Sequence, residues 1–282
     1  MVDISSSRDR LAARAGPVWR RVTARMNPVV FLGSAAVVLA FVVAGAGFTD
    51  ATARAFEGLK SGIARFFGWY YVLVVTGALA LVLALLASPA RRVRIGGRDA
   101  VPDFSRFGWF GMLFAAGMGI GLVYFGVAEP LAHYAAPLDA EPQTVAAATE
   151  AMRLSFFHWG LHAWGIYILL ALAVAHAHFN RGLPLAPRSV LHPLIGARMH
   201  GPVGHATDIL CTVGTLLGVA TSLGLGALQL NASLAGFFGW PEATWVQILL
   251  IAGITAIATV SVVSGVRRGV QLLSRVTLTL VA

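Results

Sequence analysis

Three large aromatic side chains lie in the middle of one long apolar segment. It reads His158-Trp159-Gly160-Leu161-His162-Ala163-Trp164-Gly165-Ile166-Tyr167. Because Trp and Tyr usually collect at the two edges of a membrane span, a cluster at mid-depth needs another explanation. Aromatic faces bind cations, and several together can hold a quaternary ammonium group, which has no N–H to donate. The cluster therefore indicates a site for a trimethylammonium compound, although an aromatic stripe can also serve packing alone.

Helical phase places the three aromatics on one face. With Trp159 at 0° and about 100° per residue, Trp164 falls at about 140° and Tyr167 at about 80°. The three climb about 12 Å at about 1.5 Å per residue, which is enough to form walls around a compact ligand. His158 and His162 fall away from this face. Their i, i+4 spacing would suit a metal, but no carboxylate lies close in sequence, so we interpret them as hydrogen-bonded histidines at a helix interface.

A glycine-rich stretch is the second candidate for chemistry. Gly117-Met118-Gly119-Ile120-Gly121 lies near the centre of another apolar segment. Each glycine lowers helix propensity by roughly 1 kcal/mol relative to Ala and allows close approach to a ligand. The pattern predicts a discontinuous helix at the bilayer midplane, with backbone carbonyls free for a cation. Gly117 and Gly121 also form a small-xxx-small pair, so helix packing is a compatible alternative.

An acidic residue, Glu129, precedes Pro130 at the predicted outer end of this segment. A carboxylate in apolar sequence is costly unless it has a partner. We expect Glu129 to bond to neighbouring backbone, with Pro130 marking a turn. A place in the extracellular pathway is the alternative.

The composition explains which elements must position these residues. The chain is 57% hydrophobic and 12% charged, and its mean hydropathy is +0.77, which is typical of an integral membrane protein. Spans of about 20 residues recur along it. The prediction is an all-α polytopic membrane protein with six complete spans, near residues 28–48, 67–88, 107–128, 152–179, 208–238 and 241–263, and a further apolar stretch from residue 272.

The placement of the basic residues excludes nucleic acid as the reason for the net charge of +9. Of the 21 Lys and Arg residues, 17 lie in the leader and in every second loop, which places them on one side of the membrane. Six of these are in the leader. The positive-inside rule therefore predicts a cytoplasmic amino terminus and a bilayer as the partner. We divide the chain into a basic cytoplasmic tail, residues 1–27, and a transmembrane domain, residues 28–282. Since the last apolar run is too short to span, we expect the amino-terminal part of a longer protein.

Four motifs together resemble the betaine/choline/carnitine transporter family over nearly all of residues 28–282. They are Gly117-Met118-Gly119-Ile120-Gly121, Phe125-Gly126-Val127-Ala128-Glu129-Pro130, His158-Trp159 through Tyr167, and Ser222-Leu223-Gly224-Leu225-Gly226-Ala227-Leu228-Gln229. The resemblance implies a LeuT-like fold of twelve helices, of which this chain would supply two leading helices and most of the first five-helix inverted repeat. It also implies a homotrimer in the plasma membrane.

The resemblance assigns roles to particular residues. It implies an unwound third helix beside the substrate, contributed by Gly117, Met118, Gly119 and Gly121, and an aromatic box formed by Trp159, Trp164 and Tyr167. The other wall of the box would come from an eighth helix beyond this chain.

The coupling ion is the next inference from the resemblance. One sodium site would use backbone oxygens of Ala115 and Met118. A second would use hydroxyls one turn apart in the fifth helix, where Thr215 matches but Val219 cannot ligate a cation. Proton-coupled choline carriers of the family tend to carry Asp at the position of Gly121, so this chain resembles the betaine type.

The hypothesis is therefore an ion-coupled symporter, not an enzyme, that imports a trimethylammonium osmolyte such as glycine betaine by alternating access. No cofactor is expected beyond Na⁺ or H⁺ as the coupling ion. Two alternatives stay open. One is sodium-independent exchange of carnitine, betaine or choline, which Val219 permits; the other is a membrane-embedded metalloenzyme that uses the histidines of the fourth span.

Overall fold

The computed structural model describes residues 26–117 and 119–281, and in these residues the regular structure is helical, without strands. Short 3₁₀ and π turns connect the longer helices. The α-helices, in chain order, are α1 (Pro28–Gly47), α2 (Thr49–Ala87), α3 (Arg106–Gly117), α4 (Ile120–Ala135), α5 (Val145–Trp159), α6 (Leu161–Ala175), α7 (His192–Ile195), α8 (Pro202–Phe238), α9 (Thr244–Val263) and α10 (Gln271–Val281).

Five helical segments among the described residues are long and apolar enough to cross a bilayer, or six if α3 and α4 count as one bent span. α5 and α6, with the π turn His176–Asn180, count together as one of them. Most large apolar side chains are exposed on the chain, as they are on helices that face lipid. The chain is an all-α, multi-pass membrane protein, as predicted.

Several helices extend beyond the predicted spans. α2 begins at Thr49 rather than near residue 67, so Arg54, Lys60 and Arg65 lie in a helix and not in a loop. The third span continues to Ala135, and the fourth begins at Val145. Hydropathy marks the part of a helix that crosses lipid, whereas backbone hydrogen bonding continues outside it. The basic tail lies outside the described residues up to position 25.

The helices pack in two units, which we describe separately. The first contains the chain up to Trp69 and Ala173–Leu216. Its α1 begins at the N-cap Asn27, whose side chain accepts hydrogen bonds from the amides of Val29 and Val30 and also bonds to Nδ1 of His205. A Cβ on Gly33 would lie 2.7 Å from Cδ1 of Ile209, so α1 and the start of α8 approach closely at this glycine.

A buried ion pair anchors the segment before α7 in the first unit. Asp208 accepts the backbone N–H of Arg188 at 2.9 Å and its guanidinium Nε–H at 2.6 Å. Both residues are buried, with Arg188 6% exposed and Asp208 8% exposed. The carboxylate therefore holds a loop backbone and a permanent cation at once.

The second unit contains Tyr70–Leu172 and the chain from Leu217. Here α10 packs on α3, where a Cβ on Gly108 would collide with the amide of Gln271 and approach the guanidinium of Arg275. α6 also lies close to α2, because a Cβ on Gly165 would lie 3.1 Å from Cα of Leu79. Glycines thus set the helix separations in this unit.

The connection between α4 and α5 folds onto a buried carboxylate. Glu150 accepts the backbone N–H of Leu138 at 2.6 Å, and those of Asp139 and Ala140 at 3.3 and 3.1 Å. Glu150 precedes the fourth predicted span, but it lies in α5 and is 6% exposed. Glu150 therefore fixes the loop that follows α4 against α5, the helix that carries the start of the aromatic segment.

Candidate functional site

The glycine motif separates two helices. α3 ends at Gly117, and α4 begins at Ile120 after the extended residue Gly119, which has φ −78° and ψ −177°. The two axes differ in direction by 40°. The predicted helix discontinuity is therefore confirmed, although Met118 itself lies outside the described residues.

Two tryptophans of the aromatic segment pack directly against the glycines of this break. A Cβ on Gly117 would lie 2.9 Å from Cη2 of Trp164, and a Cβ on Gly121 would lie 3.1 Å from Cζ3 of Trp159. Even an alanine would have to displace an indole ring at either position. The glycines thus leave room for the two rings as well as for the break in the helix.

The helix that carries the aromatics is itself interrupted. α5 ends at Trp159, and Gly160 has the non-helical angles φ −85° and ψ −140° before α6 begins at Leu161. The phase argument assumed an uninterrupted helix, so its angles do not hold from Trp159 to Trp164. The two tryptophans nevertheless face the same glycine segment, because tertiary packing orients each of them separately.

The remaining aromatics complete a row of rings. Trp159 stacks on Phe125 of α4, with centroids 5.8 Å apart and an interplanar angle of 23°. Trp164 lies 5.9 Å from the ring of Tyr167. Tyr167 is 71% exposed on this chain and Trp164 is 40% exposed, so both keep surface available for a ligand or another helix. Sequence analysis did not select Phe125, whose position in the motif before Glu129 was the available signal.

Glu129 contacts side chains of the aromatic segment. One carboxylate oxygen, Oε2, accepts the indole N–H of Trp159, and the other, Oε1, shares a hydrogen bond with Nδ1 of His158. Nε2 of His133 lies 3.5 Å from Oε1. The expected bonding to neighbouring backbone is wrong for this residue, because its partners come from α5 and from one turn along α4. Pro130 does not mark a turn either, since it lies inside α4.

The histidines separate into two environments. His158 belongs to the Glu129 cluster, although helical phase had set it aside, because a carboxylate distant in sequence is brought to it by the packing of α4 on α5. His162 instead lies against Phe157, with ring centroids 4.4 Å apart. Both histidines line a mostly apolar cavity of about 310 Å³, together with Tyr71, Val72, Val75, Thr76, Phe157, Ala163 and Ile166.

The predicted ion ligands are only partly described. Ala115 lies in the last turn of α3, where backbone carbonyls lack partners within the helix. Thr215 lies in α8 and donates its hydroxyl to the carbonyl of Cys211 at 2.8 Å, as threonines in membrane helices often do. The hydroxyl oxygen keeps lone pairs for a cation. One turn further along α8, Val219 offers none.

The sequence profile of the betaine/carnitine/choline family transporters matches residues 29–282. The chain belongs to this family. Family membership accounts for the four motifs together. The members of this family are described as transporters, which argues against the metalloenzyme alternative.

Several bacterial transporters are similar to this chain in sequence. The chain is 41% identical to a glycine betaine transporter of Acinetobacter baylyi over 91% of its own length and 39% of that protein. It is 42% identical to the glycine betaine transporter OpuD of Bacillus subtilis, over 87% of the chain and 48% of that protein. It is 38% identical to a high-affinity choline transport protein of Escherichia coli, over 99% of the chain and 39% of that protein.

The chain spans roughly two fifths to one half of the length of these relatives. Their names include both betaine and choline as cargo. Both of these named cargoes are quaternary ammonium compounds.

Proposed function

We propose that the protein takes part in ion-coupled import of a trimethylammonium osmolyte, with glycine betaine as the first candidate. The observation that carries the proposal is the packing of Trp159 and Trp164 against the two outer glycines of a broken helix. This arrangement puts two indole rings beside a flexible backbone, as the hypothesis of a substrate box requires. Names of the related transporters support the same class of cargo.

The chemistry of the box follows from its rings. A trimethylammonium group has no N–H to donate, so hydrogen-bond acceptors cannot hold it specifically. Each cation–π contact contributes roughly 0.5 to 2 kcal/mol, with the upper part of this range where water is excluded. Trp159, Trp164 and Tyr167 are the residues that we assign to the ammonium group, and further rings from another helix would add to the same interaction.

Alternating access needs a segment that changes shape at low cost. The interruption between α3 and α4 and the second one at Gly160 both lie where the rings meet the glycines. We assign substrate contacts to the backbone of Gly117, Met118, Gly119 and Gly121. Small rotations at these points would move the rings without unfolding either helix.

We assign the coupling ion to two places. Backbone oxygens of Ala115 and Met118 would ligate one Na⁺, and the hydroxyl of Thr215 would contribute to a second site. Val219 weakens the second site, because an aliphatic side chain cannot replace a hydroxyl ligand. Coupling to H⁺ is the other form of the same proposal.

Val219, which replaces the hydroxyl ligand of the second sodium site, favours one alternative function. A carrier without this site could exchange carnitine, betaine or choline across the membrane without sodium. Uptake with external sodium replaced by potassium, measured with and without substrate loaded inside, separates the two. Sodium symport requires uptake to fall without sodium, whereas exchange requires stimulation by internal substrate.

The proposal also includes a setting for the protein. We place it in the plasma membrane with its amino terminus in the cytoplasm, because most basic residues lie in the leader and in every second loop, on the same side of the membrane. Family resemblance adds a homotrimer. Accessibility of a cysteine introduced into the tail to an impermeant reagent tests the orientation.

Substitution of the box tests the substrate assignment. Trp164→Leu should reduce betaine uptake by about two- to thirtyfold, because the lost cation–π contact is worth roughly 0.5 to 2 kcal/mol and each 1.4 kcal/mol corresponds to about tenfold in affinity. Trp245→Leu is the matched control, since Trp245 lies in the first turn of α9 and is exposed. Equal uptake by the two variants at the same surface expression would contradict the proposal.

A further inference from the structure

We propose that Glu129, His133 and His158 form a binding site for a divalent transition-metal ion such as Zn²⁺. The three residues each offer one ligand atom, and these atoms all lie within 4.8 Å of one another. A carboxylate with two imidazoles is a donor set that zinc commonly takes.

The fold brings the donors together from two helices. Glu129 and His133 are four residues apart on α4, so they lie on the same face one turn apart. His158 comes from the last turn of α5. The loop between α4 and α5 is fixed by the bonds of Glu150, which holds the two ligand-bearing helices in register.

One ligand atom makes an ion-pair contact but no hydrogen bond. Nε2 of His133 is buried and has no hydrogen bond among the described residues. It faces Oε1 of Glu129 at 3.5 Å. Tetrahedral zinc with bonds of about 2.0 to 2.2 Å spaces its ligand atoms about 3.3 to 3.5 Å apart, so this pair needs little adjustment. A buried nitrogen without a hydrogen bond is costly, and a metal bond would satisfy it.

A metal ion can reach the site on the side of His158. Its side chain is 49% exposed on this chain, whereas Glu129 is 15% exposed and His133 is 23% exposed. Nδ1 of His158 would exchange its hydrogen bond with Oε1 for a bond to the metal. Three protein ligands leave the fourth tetrahedral position to water, as in zinc sites that remain open.

The site is joined to the proposed substrate box. Oε2 of Glu129 accepts the indole N–H of Trp159, so a metal held on Oε1 would restrict the carboxylate that orients this ring. This consequence rests on the proposed function. Bound Zn²⁺ would then slow transport by holding Trp159 in one position.

Direct metal binding tests the site without any transport measurement. Titration of the purified protein with Zn²⁺ in a non-chelating buffer should show one saturable site, and Co²⁺ at the same site should give the visible absorption of tetrahedral coordination. His133→Ala and His158→Ala should each weaken binding by at least about tenfold. His162→Ala is the matched control, because this histidine lies outside the cluster and should leave the affinity unchanged.

The possible outcomes are decisive. Absence of a saturable site in the wild type, or equal affinity in all four proteins, would overturn the proposal. If either variant fails to fold, the remaining variant and the Co²⁺ spectrum of the wild type still decide it, since octahedral Co²⁺ would contradict the predicted geometry. Metal binding without any effect of Zn²⁺ on uptake would support the site and overturn only its connection to Trp159.

Discussion

Asp208 of the first unit and Glu129 of the second are both carboxylates on helices, but their partners differ in kind. Asp208 meets a permanent cation and a backbone amide, in surroundings that bury both members of the pair. Glu129 meets an indole N–H and two imidazoles, which carry charge only when protonated. The first arrangement is fixed by its chemistry, whereas the second can exchange a proton or a metal ion. The comparison separates a carboxylate that holds the fold from one that can respond to conditions.

The largest expected effect is at the fixed pair. Asp208→Asn leaves the buried guanidinium of Arg188 without a counter-charge, which should cost about 3 to 5 kcal/mol of stability. Loss of monodisperse protein in detergent, or a much lower melting temperature, would show it. Glu57→Gln is the control, because the Glu57–Lys60 pair is exposed and such pairs contribute little. Equal stability of the two variants would break the comparison.

Glu150 is expected to resemble Asp208 in being structural. Glu150→Gln removes a charge that accepts three successive amides, so we expect a lower melting temperature, with a smaller decrease than for Asp208→Asn. The substrate concentration for half-maximal uptake should stay unchanged in the protein that folds. A melting curve and an uptake curve at matched expression check both statements. A change in substrate affinity with full stability would place Glu150 in the functional group instead.

Glu129 should show the reverse behaviour. Glu129→Ala removes the acceptor of the Trp159 indole N–H, and we expect uptake to fall by about tenfold, equivalent to about 1.4 kcal/mol, with folded protein retained. Glu129→Gln keeps an acceptor oxygen and should recover part of the uptake. Glu141→Gln, in the exposed loop before α5, is the control. If Glu129→Ala fails to fold as Asp208→Asn is expected to, the distinction between the two carboxylates is wrong.

The smallest effect is expected at Gly121, which also packs against Trp159. Gly121→Ala places a Cβ 3.1 Å from the indole, so the ring must shift by a few tenths of an ångström. We expect a few-fold weaker apparent substrate affinity, in keeping with about 1 kcal/mol of overpacking. Gly126→Ala is the control in the same helix, because nothing lies within 4 Å of a Cβ there. No difference between the variants would mean that the contact at Gly121 does not orient Trp159.

Much of the fold was predictable because it depends on local properties of the sequence. Apolar runs of sufficient length must form helices in lipid, and the alternating glycines of residues 117–121 predict the break that separates α3 from α4. Helix ends were predicted less well. Hydropathy falls before the helix ends, so residues 49–66 of α2 and the last turns of α4 lie outside the predicted spans.

The site was predictable only in part. Trp159 and Trp164 were selected by residue type and depth, and the glycines by propensity, but the matching of each tryptophan to one glycine is a tertiary contact. Helical phase failed at His158, because Gly160 interrupts the helix and because the relevant partner, Glu129, is 29 residues away in sequence. No periodicity within a segment reports such a pairing.

The sequence by itself determined that this is a helical membrane protein with aromatic and glycine-rich segments, since burial in lipid dictates backbone bonding and glycine dictates where a helix weakens. The tertiary structure decided which side chains these segments present to each other. It gave Asp208 a permanent cation and gave Glu129 a set of exchangeable partners. The physical reason is that the partners of a carboxylate depend on distances between helices, which packing fixes and local sequence does not.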